Sequence, residues 1–148
     1  MEKFDLSYIE MARIWAKNSY CKRRQVGALI VKDNMIISDG YNGTPSGFEN
    51  ICEDENGITK PYVLHAEANA IISAPREKML GSVLYMVGTE VKTGEYISNS
   101  SSCSMCKRLV INAGIEKVYI RDTKDTFRVI NVIDWVNNDE SLECTLGY

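Results

Sequence analysis

The sequence has few prolines, a single histidine and no hydrophobic run long enough to cross a membrane. Only three prolines occur among 148 residues, and no Gly/Ser stretch is longer than a loop. A membrane-spanning helix needs a run of about 18 or more apolar residues, and none is present. The first residues also lack the apolar core of a signal peptide. We therefore expect one cytoplasmic domain that covers residues 1–148, with no membrane partner.

No sign of charge dominates. Lys and Arg number 17 and Asp and Glu number 20, which gives a net charge of −3. A surface that binds nucleic acid usually carries a basic surplus, so no nucleic acid is expected as a partner. Hydrophobic residues make up 45% and charged residues 25% of the chain, as is typical of a globular protein. A chain of this length can bury a core without a disulfide or a metal.

The five cysteines are an odd number, so they cannot all pair within the chain. In a reducing compartment cysteines serve metal binding or catalysis more often than disulfides. Cys103 and Cys106 form a C-x-x-C motif. Cys21, Cys52 and Cys144 have no spacing typical of metal ligands, and we interpret them as buried or tolerated thiols, so that no disulfide framework is expected.

The hydrophobic pattern predicts strands that alternate with helices. Helical spacing runs from a cap at Asp5 to about Ala16, and Asp33-Asn34 forms a turn signal between two short strands. The predicted strands cover 25–32, 35–38, 82–87 and 117–121, the further helices cover 66–74 and 103–113, and 128–137 is ambiguous between strand and helix.

The order of these elements predicts the fold class. The strand-helix-strand run over 82–121 requires a parallel pair joined by a right-handed crossover, whereas the first two strands are antiparallel. We expect an α/β fold of three layers, α/β/α, in which a mixed sheet of about five strands carries helices on both faces.

Two short motifs carry the chemistry: His65-Ala66-Glu67 and Cys103-x-x-Cys106. Each lies where a predicted helix begins. Three-residue spacing places both sulfurs on one helical face, and the positive end of the helix favours thiolate. In a first turn, the side chains of His65 and Glu67 can converge on a point beyond the helix end. One nitrogen and two sulfurs are the ligands of a catalytic zinc with an open fourth position, and Glu67 would then reach a water there.

Alternatives remain for each motif taken alone. A lone C-x-x-C is also found in redox dithiols, and a single histidine is often structural. Together, however, H-x-E followed by P-C-x-x-C is the signature of zinc nucleobase deaminases. Ser102 stands where the signature has proline, and serine could cap the helix instead. The segment 88–102 is longer than a usual strand-to-helix loop. This segment could be a lid over the site or an excursion on the surface, and we favour the surface excursion.

The sequence resembles the deoxycytidylate (dCMP) deaminases of the cytidine/deoxycytidylate deaminase superfamily over roughly residues 5–122. The resemblance rests on four segments, namely 25–28, 40–47, 65–71 and 103–115. The glycine-rich segment 40–47 indicates the branch that acts on nucleoside monophosphates. The resemblance implies a cytidine deaminase-like fold and the zinc-dependent hydrolysis of dCMP to dUMP, the dTMP precursor, with release of ammonia. It implies His65, Cys103 and Cys106 as zinc ligands and Glu67 as the catalytic proton shuttle.

The resemblance also suggests substrate contacts. Asn42 would hold the sugar hydroxyl, although an asparagine between glycines also suits a turn. Val26 and Ala66 would line the base pocket, and Thr44 and Tyr119 would border it. Core packing explains Val26 equally well, and a tyrosine in the position of Tyr119 is more often a core residue.

The phosphate is expected at the basic run Lys22-Arg23-Arg24, which is otherwise a solvated group of charges. Arg24 is our candidate for the 5′-phosphate, since its forked donors match this group. Many members of the family are hexamers regulated by dCTP and dTTP, so the resemblance implies a homo-oligomer and these effectors.

Four other functions remain open. A tRNA adenosine deaminase shares the zinc motifs but would need a basic RNA surface. A deaminase of dCTP, nucleosides or free bases would differ only in substrate. A non-catalytic zinc module would have no use for Glu67. A C-x-x-C redox protein would need neither His65 nor Glu67.

Overall fold

The computed structural model describes residues 2–98 and 102–143. Five α-helices, five β-strands and a short 3₁₀ turn follow one another along these residues. In chain order they are α1 (Lys3–Ala16), β1 (Arg24–Lys32), β2 (Met35–Tyr41), α2 (Ala66–Ile72), α3 (Arg76–Met79), β3 (Val83–Glu90), α4 (Ser104–Ala113), β4 (Lys117–Arg121), β5 (Phe127–Asn131), α5 (Val132–Asn138) and the 3₁₀ turn Glu140–Leu142. None of these helices is both long and apolar enough to cross a membrane.

The strands form one mixed sheet in the order β2-β1-β3-β4-β5. β3 and β4 are parallel, as the crossover through α4 predicts, and the other neighbouring strands are antiparallel. The β1–β2 hairpin turns at Asp33 and Asn34, whose φ angles are 52° and 59°. Two successive positive φ values are typical of a tight hairpin turn, and Asp and Asn tolerate them. The predicted five-stranded mixed sheet is therefore confirmed.

Helices cover both faces of the sheet. On one face α1 packs against alternate residues of β1 and β3, including Leu29 and Tyr85. On the other face α2, α4 and α5 bury a larger core around Ile30, Leu84 and Val118. The period of two along each strand sends neighbouring residues to opposite cores. The three-layer prediction is thus correct.

Several boundaries differ from the sequence prediction, and two of these differences have a clear structural cause. α1 begins at Lys3 rather than Asp5, because the Glu2 backbone N–H donates to Asp5 Oδ2 at 3.2 Å in a reciprocal capping box. The ambiguous segment 128–137 contains both elements, since β5 ends at Asn131 and α5 begins at the next residue. A pattern averaged over ten residues cannot separate a short strand from the helix that follows it.

Two glycines let helices lie close on the sheet. A Cβ atom on Gly27 would clash with the Ala12 carbonyl of α1. A Cβ on Gly40 would lie 2.5 Å from the Ala66 carbonyl oxygen and 2.6 Å from the Ala70 nitrogen of α2. Glycine in β2 therefore sets how deeply the first turn of α2 sits.

The cysteine prediction is wrong at two positions. Cys21 and Cys52 form a disulfide, with their Cα atoms 5.3 Å apart. Because β1 and β2 are antiparallel, the loop before β1 and the loop after β2 meet at the same end of the hairpin. The sequence places these cysteines 31 residues apart, and only the strand pairing shows that they are neighbours. Cys144 lies outside the described residues.

We expect the disulfide to contribute to stability. Replacing both residues, as Cys21→Ser/Cys52→Ser, should lower the free energy of unfolding by about 3 to 4 kcal/mol, because the unfolded chain loses a cross-link that closes a loop of this length. Urea unfolding monitored by circular dichroism measures the change. Wild-type protein treated with a reducing agent should unfold at the same urea concentration as the double variant. An equal midpoint for oxidised and reduced wild type would contradict the prediction.

Candidate active site

The N-termini of α2 and α4 lie side by side. His65 is the N-cap residue of α2 and Cys103 is the N-cap residue of α4, both in extended backbone conformation. The two helices pack against each other on the same face of the sheet. Ala66 and Ala70 of α2 are fully buried, in the same core as Val110 and Ala113 of α4. Both helix starts therefore aim their first side chains into the same space.

The three predicted metal ligands converge there. Nδ1 of His65 lies 3.4 Å from Sγ of Cys103 and 3.4 Å from Sγ of Cys106. A tetrahedral zinc with bonds of about 2.3 Å to sulfur and about 2.0 Å to nitrogen would separate these donors by about 3.5 Å. The donor atoms are thus spaced as zinc requires, and Nδ1 is the nitrogen that would bind it.

The protonation of the three donors is coupled. A hydrogen bond from Cys106, and a second one with His65, lower the pKa of the Cys103 thiol to about 3. The pKa of Cys106 is raised, first by its neighbour Cys103 and then by burial. The hydrogen bond with Cys103 also raises the pKa of His65. One thiolate is therefore already present, and a metal that binds here displaces the remaining protons.

A second group of metal-type side chains consists of Cys21, Cys52 and Glu53, whose ligand atoms also lie within 4.8 Å of one another. The two sulfurs are joined in the disulfide, so they are not thiolates. The Glu53 carboxylate instead accepts hydrogen bonds from the backbone N–H groups of Lys22 and Arg23, at 3.0 and 3.1 Å. Only the first group offers the donors of a catalytic zinc.

Glu67 is a buried carboxylate beside these donors. It lies in the first turn of α2 and is 4% exposed. It is not one of the three converging ligands, yet its charge helps to raise the pKa of Cys106. The Ser102 hydroxyl donates to Glu67 Oε2 at 2.8 Å. The carboxylate thus lies beside the three converging side chains without being one of them.

A cavity of about 350 Å³ opens over this group. Its wall combines the metal-type donors and Glu67 with apolar side chains and with charged residues. The lining residues are Cys21, Arg23, Arg24, Val26, Asn42, Glu53, Thr59, Val63, His65, Ala66, Glu67, Met86, Gly88, Ile97, Cys103 and Ile120. A site with an apolar wall and a few polar groups is typical of a small-molecule pocket.

Four of the predicted substrate residues lie in this cavity: Arg24, Val26, Asn42 and Ala66. The Asn42 amide is committed to the backbone of β1, since Oδ1 accepts from Val26 N–H at 2.9 Å and Nδ2 donates to the Arg24 carbonyl at 2.9 Å. Arg24 forms an ion pair with Glu90 across β1 and β3, at 2.9 Å between Nε and Oε1.

Two predicted substrate residues lie elsewhere. Tyr119 stacks on Tyr85 on the α1 face of the sheet, because its neighbours Val118 and Ile120 occupy the opposite face. Thr44 bonds to Tyr20, with 2.6 Å between the two hydroxyl oxygens, and does not line the cavity. Both side chains thus lie outside the lining of this cavity.

Two further interpretations change. The segment after β3 lies at the site and is not a surface excursion away from it. Ile97 donates its N–H to the Gly88 carbonyl at 2.9 Å, and both residues line the cavity. Residues 99–101 of that segment lie outside the described part. Ser102 does not cap α4 through its hydroxyl, because Cys103 is the N-cap and the hydroxyl donates to Glu67.

Sequence reasoning missed several lining residues. Glu53 and Thr59 come from the long loop between β2 and α2, which offers no motif. Met86 and Ile120 are ordinary core residues of β3 and β4 by pattern. Arg23 belongs to the basic run 22–24, and this run is the sequence feature that points to Arg23 as a cavity residue. A sequence pattern shows burial but does not show which buried side chain faces a cavity.

Comparisons with known proteins agree with this geometry. The model of the cytidine and deoxycytidylate deaminase zinc-binding region matches residues 2–121. A deoxycytidylate deaminase of Mycobacterium phage D29 is 30% identical over 129 residues, which cover 78% of this chain and 91% of the phage protein. The human deoxycytidylate deaminase is 30% identical over 125 residues, which cover 79% of this chain and 64% of the human protein.

A solved structure gives the same result. The dCMP deaminase of cyanophage S-TIM5, crystallised with dCMP and dUMP, superposes with a TM-score of 0.69 at 34% identity and covers 96% of this chain and 94% of its own. The converging ligands, the buried glutamate and these matches together show that the chain belongs to the cytidine and deoxycytidylate deaminase family.

Proposed function

We propose that this protein is a zinc-dependent dCMP deaminase that converts dCMP and water to dUMP and ammonia. The observation that carries the proposal is the meeting of His65, Cys103 and Cys106 with the buried Glu67 in a cavity that Arg23 and Arg24 also line. The relatives above are deoxycytidylate deaminases, which supports the same substrate. We also infer that the enzyme is hydrolytic and acts on the C4 amine of cytosine.

The ligand set determines what a metal would contribute. Zinc bound by His65, Cys103 and Cys106 would have an open fourth position and would lower the pKa of a water there, supplying hydroxide at neutral pH. Two of the ligands are exposed and Cys106 is buried. The accessible side of the site faces the cavity, where a substrate can approach.

Glu67 moves the protons of the reaction. Its carboxylate accepts a proton from the attacking water and transfers it to ring N3. It then takes the second proton of that water from the hydroxyl on C4 and delivers it to the amine, so that the C–N bond breaks and ammonia leaves while the oxygen of water remains on C4 as the carbonyl. A carboxylate that ligated the metal could not carry out both transfers.

The remainder of the cavity suits a nucleotide. Val26, Met86 and Ile120 supply apolar surface for a flat base. Arg23 and Arg24 supply positive charge in the same cavity, in a chain whose net charge is −3. Within residues 2–98 and 102–143 no salt bridge holds the Arg23 guanidinium, whereas Arg24 is paired with Glu90. A 5′-phosphate would bind Arg23 directly and would compete with Glu90 for Arg24.

Assembly, regulation and location complete the proposal. The large apolar side chains Ile72, Met105 and Leu109 are exposed on α2 and α4, and such side chains are often covered in an oligomer. This supports a homo-oligomer, for which the family resemblance suggests a hexamer with dCTP and dTTP as effectors. The resemblance and the composition support a cytoplasmic enzyme of nucleotide metabolism.

The role of Glu67 is tested by Glu67→Gln. The amide cannot exchange protons as a carboxylate does, so kcat on dCMP should fall by a factor on the order of 10² to 10⁴. Zinc content, measured by mass spectrometry of the metal, should stay at the wild-type level because Glu67 is not a ligand. Turnover is followed by ammonia release and by the loss of cytosine absorbance.

Cys106→Ser is the matched control, because it removes a ligand and should lose zinc and turnover together. Glu67→Gln with wild-type turnover would exclude the proposed proton transfer. Wild-type protein that binds zinc but releases no ammonia from dCMP, CMP, dCTP, deoxycytidine or cytosine would refute the proposed deaminase activity.

Phosphate recognition is tested by Arg24→Ala and Arg23→Ala. Each should raise KM for dCMP by about 10- to 100-fold, which corresponds to the loss of one hydrogen bond to a charged group. Turnover of deoxycytidine, which has no phosphate, should not change. Steady-state kinetics on both substrates give the comparison.

Lys17→Ala is the control for a general change of charge, since Lys17 is an exposed cation at the end of α1. It should leave both substrates unaffected. An equal loss on dCMP and deoxycytidine in the arginine variants would contradict a phosphate site at these residues.

A further inference from the structure

We infer that Ser102 is a positioning residue for Glu67: its hydroxyl holds one carboxylate oxygen, so that the other is oriented for proton transfer. The inference rests on the proposed function, in which Glu67 acts on the substrate. It concerns the one position at which the chain departs from the P-C-x-x-C signature. The departure thus has a chemical use in this protein.

The hydroxyl of Ser102 is buried and has one strong acceptor. Ser102 is 4% exposed, and its Oγ lies 2.8 Å from Glu67 Oε2. The Met86 sulfur is its other neighbour, at 3.9 Å. A thioether is a weak acceptor and a carboxylate is a strong one, so the single hydroxyl proton points to Glu67.

Glu67 has little else to hold its carboxylate. A buried carboxylate needs hydrogen bonds to offset its desolvation. In the described part of the chain, Ser102 is the hydroxyl that donates to it. Cys106 also lies beside the carboxylate, but a cysteine that ligates zinc has no S–H to donate. With zinc bound, the Ser102 hydrogen bond therefore fixes the rotation of the carboxylate.

This contact links the two helices that build the site. Ser102 directly precedes the N-cap of α4, and Glu67 lies in the first turn of α2. The hydrogen bond therefore sets the carboxylate relative to Cys103, the residue next to Ser102. Proton transfer depends on the placement of the acceptor oxygen to a fraction of an ångström, so a fixed orientation raises kcat. Substrate affinity, which depends on the rest of the cavity, is not affected.

Proline, which the signature has at this position, has no hydroxyl and cannot make this contact. If residue 102 served only to start α4, proline would replace serine without loss. If the hydroxyl orients Glu67, proline and alanine are equally deficient. The two roles thus predict different results for the same pair of variants.

The test compares Ser102→Ala, Ser102→Pro and Ser102→Thr in the zinc-loaded enzyme. Alanine and proline should each lower kcat on dCMP by about tenfold, the effect of losing one hydrogen bond to a charged group. KM and zinc content should stay near wild type. Threonine keeps the hydroxyl and should restore most of kcat.

Ser82→Ala is the matched control. Ser82 is also a buried serine, but within residues 2–98 and 102–143 its hydroxyl has no hydrogen-bond partner. It lies just before β3 and does not line the cavity. Its replacement should leave kcat unchanged, which separates the loss of a buried hydroxyl in general from the loss of this one.

Wild-type kcat in Ser102→Ala or Ser102→Pro would overturn the inference. So would a loss of kcat that follows a parallel loss of zinc, since Ser102 would then act by holding the metal ligands in place. A crystal structure of Ser102→Ala with zinc gives a readout without turnover: we expect the Glu67 carboxylate in more than one orientation, and a single wild-type orientation would refute the idea. Wild-type enzyme that does not turn over dCMP would instead refute the proposed function.

Discussion

The chemistry of this protein depends on how closely α2 and α4 can lie on one face of the sheet. Two helices usually stand 8 to 10 Å apart, depending on the side chains between them. The small side chains of Ala66 and Ala70 are fully buried on the inner side of α2. Gly40 of β2 has no Cβ atom, and a Cβ there would clash with the backbone of α2. Since the helices also begin at the same edge, His65 and Cys103 are adjacent although 38 residues separate them.

The same arrangement concentrates positive charge at the site. Two helix N-termini in one place present unpaired N–H groups and two positive dipole ends. The thiolate of Cys103 and the carboxylate of Glu67 offset them, and a divalent cation bound here would balance the negative groups. The low pKa of Cys103 and the raised pKa of its neighbour Cys106 result from one proton shared between two close sulfurs.

The sequence predicted the layers, the sheet and the ligand positions because these depend on local patterns. The alternation of apolar residues identified the strands. The side chains of H-x-E and of C-x-x-C stay close together in the folded chain because each motif lies within a single helical turn. The misplaced residues depend on tertiary geometry. Tyr119 faces the α1 side of the sheet because side chains alternate along β4, and its neighbours Val118 and Ile120 face the other side. The Cys21–Cys52 disulfide requires knowing which hairpin ends meet. The hydroxyl of Ser102 was assigned to its own helix, whereas its acceptor lies on α2.

One consequence concerns the wall of the cavity formed by Val26 and Asn42. The disulfide joins the chain just outside the open end of the β1–β2 hairpin, and the tight turn closes the other end. The backbone from Cys21 to Cys52 is therefore a covalent ring that contains both strands. A hairpin commonly begins to unfold at its open end, and here the disulfide restrains the chain at that end. Amide hydrogens of this wall should exchange slowly with solvent, because local opening would have to begin within the ring.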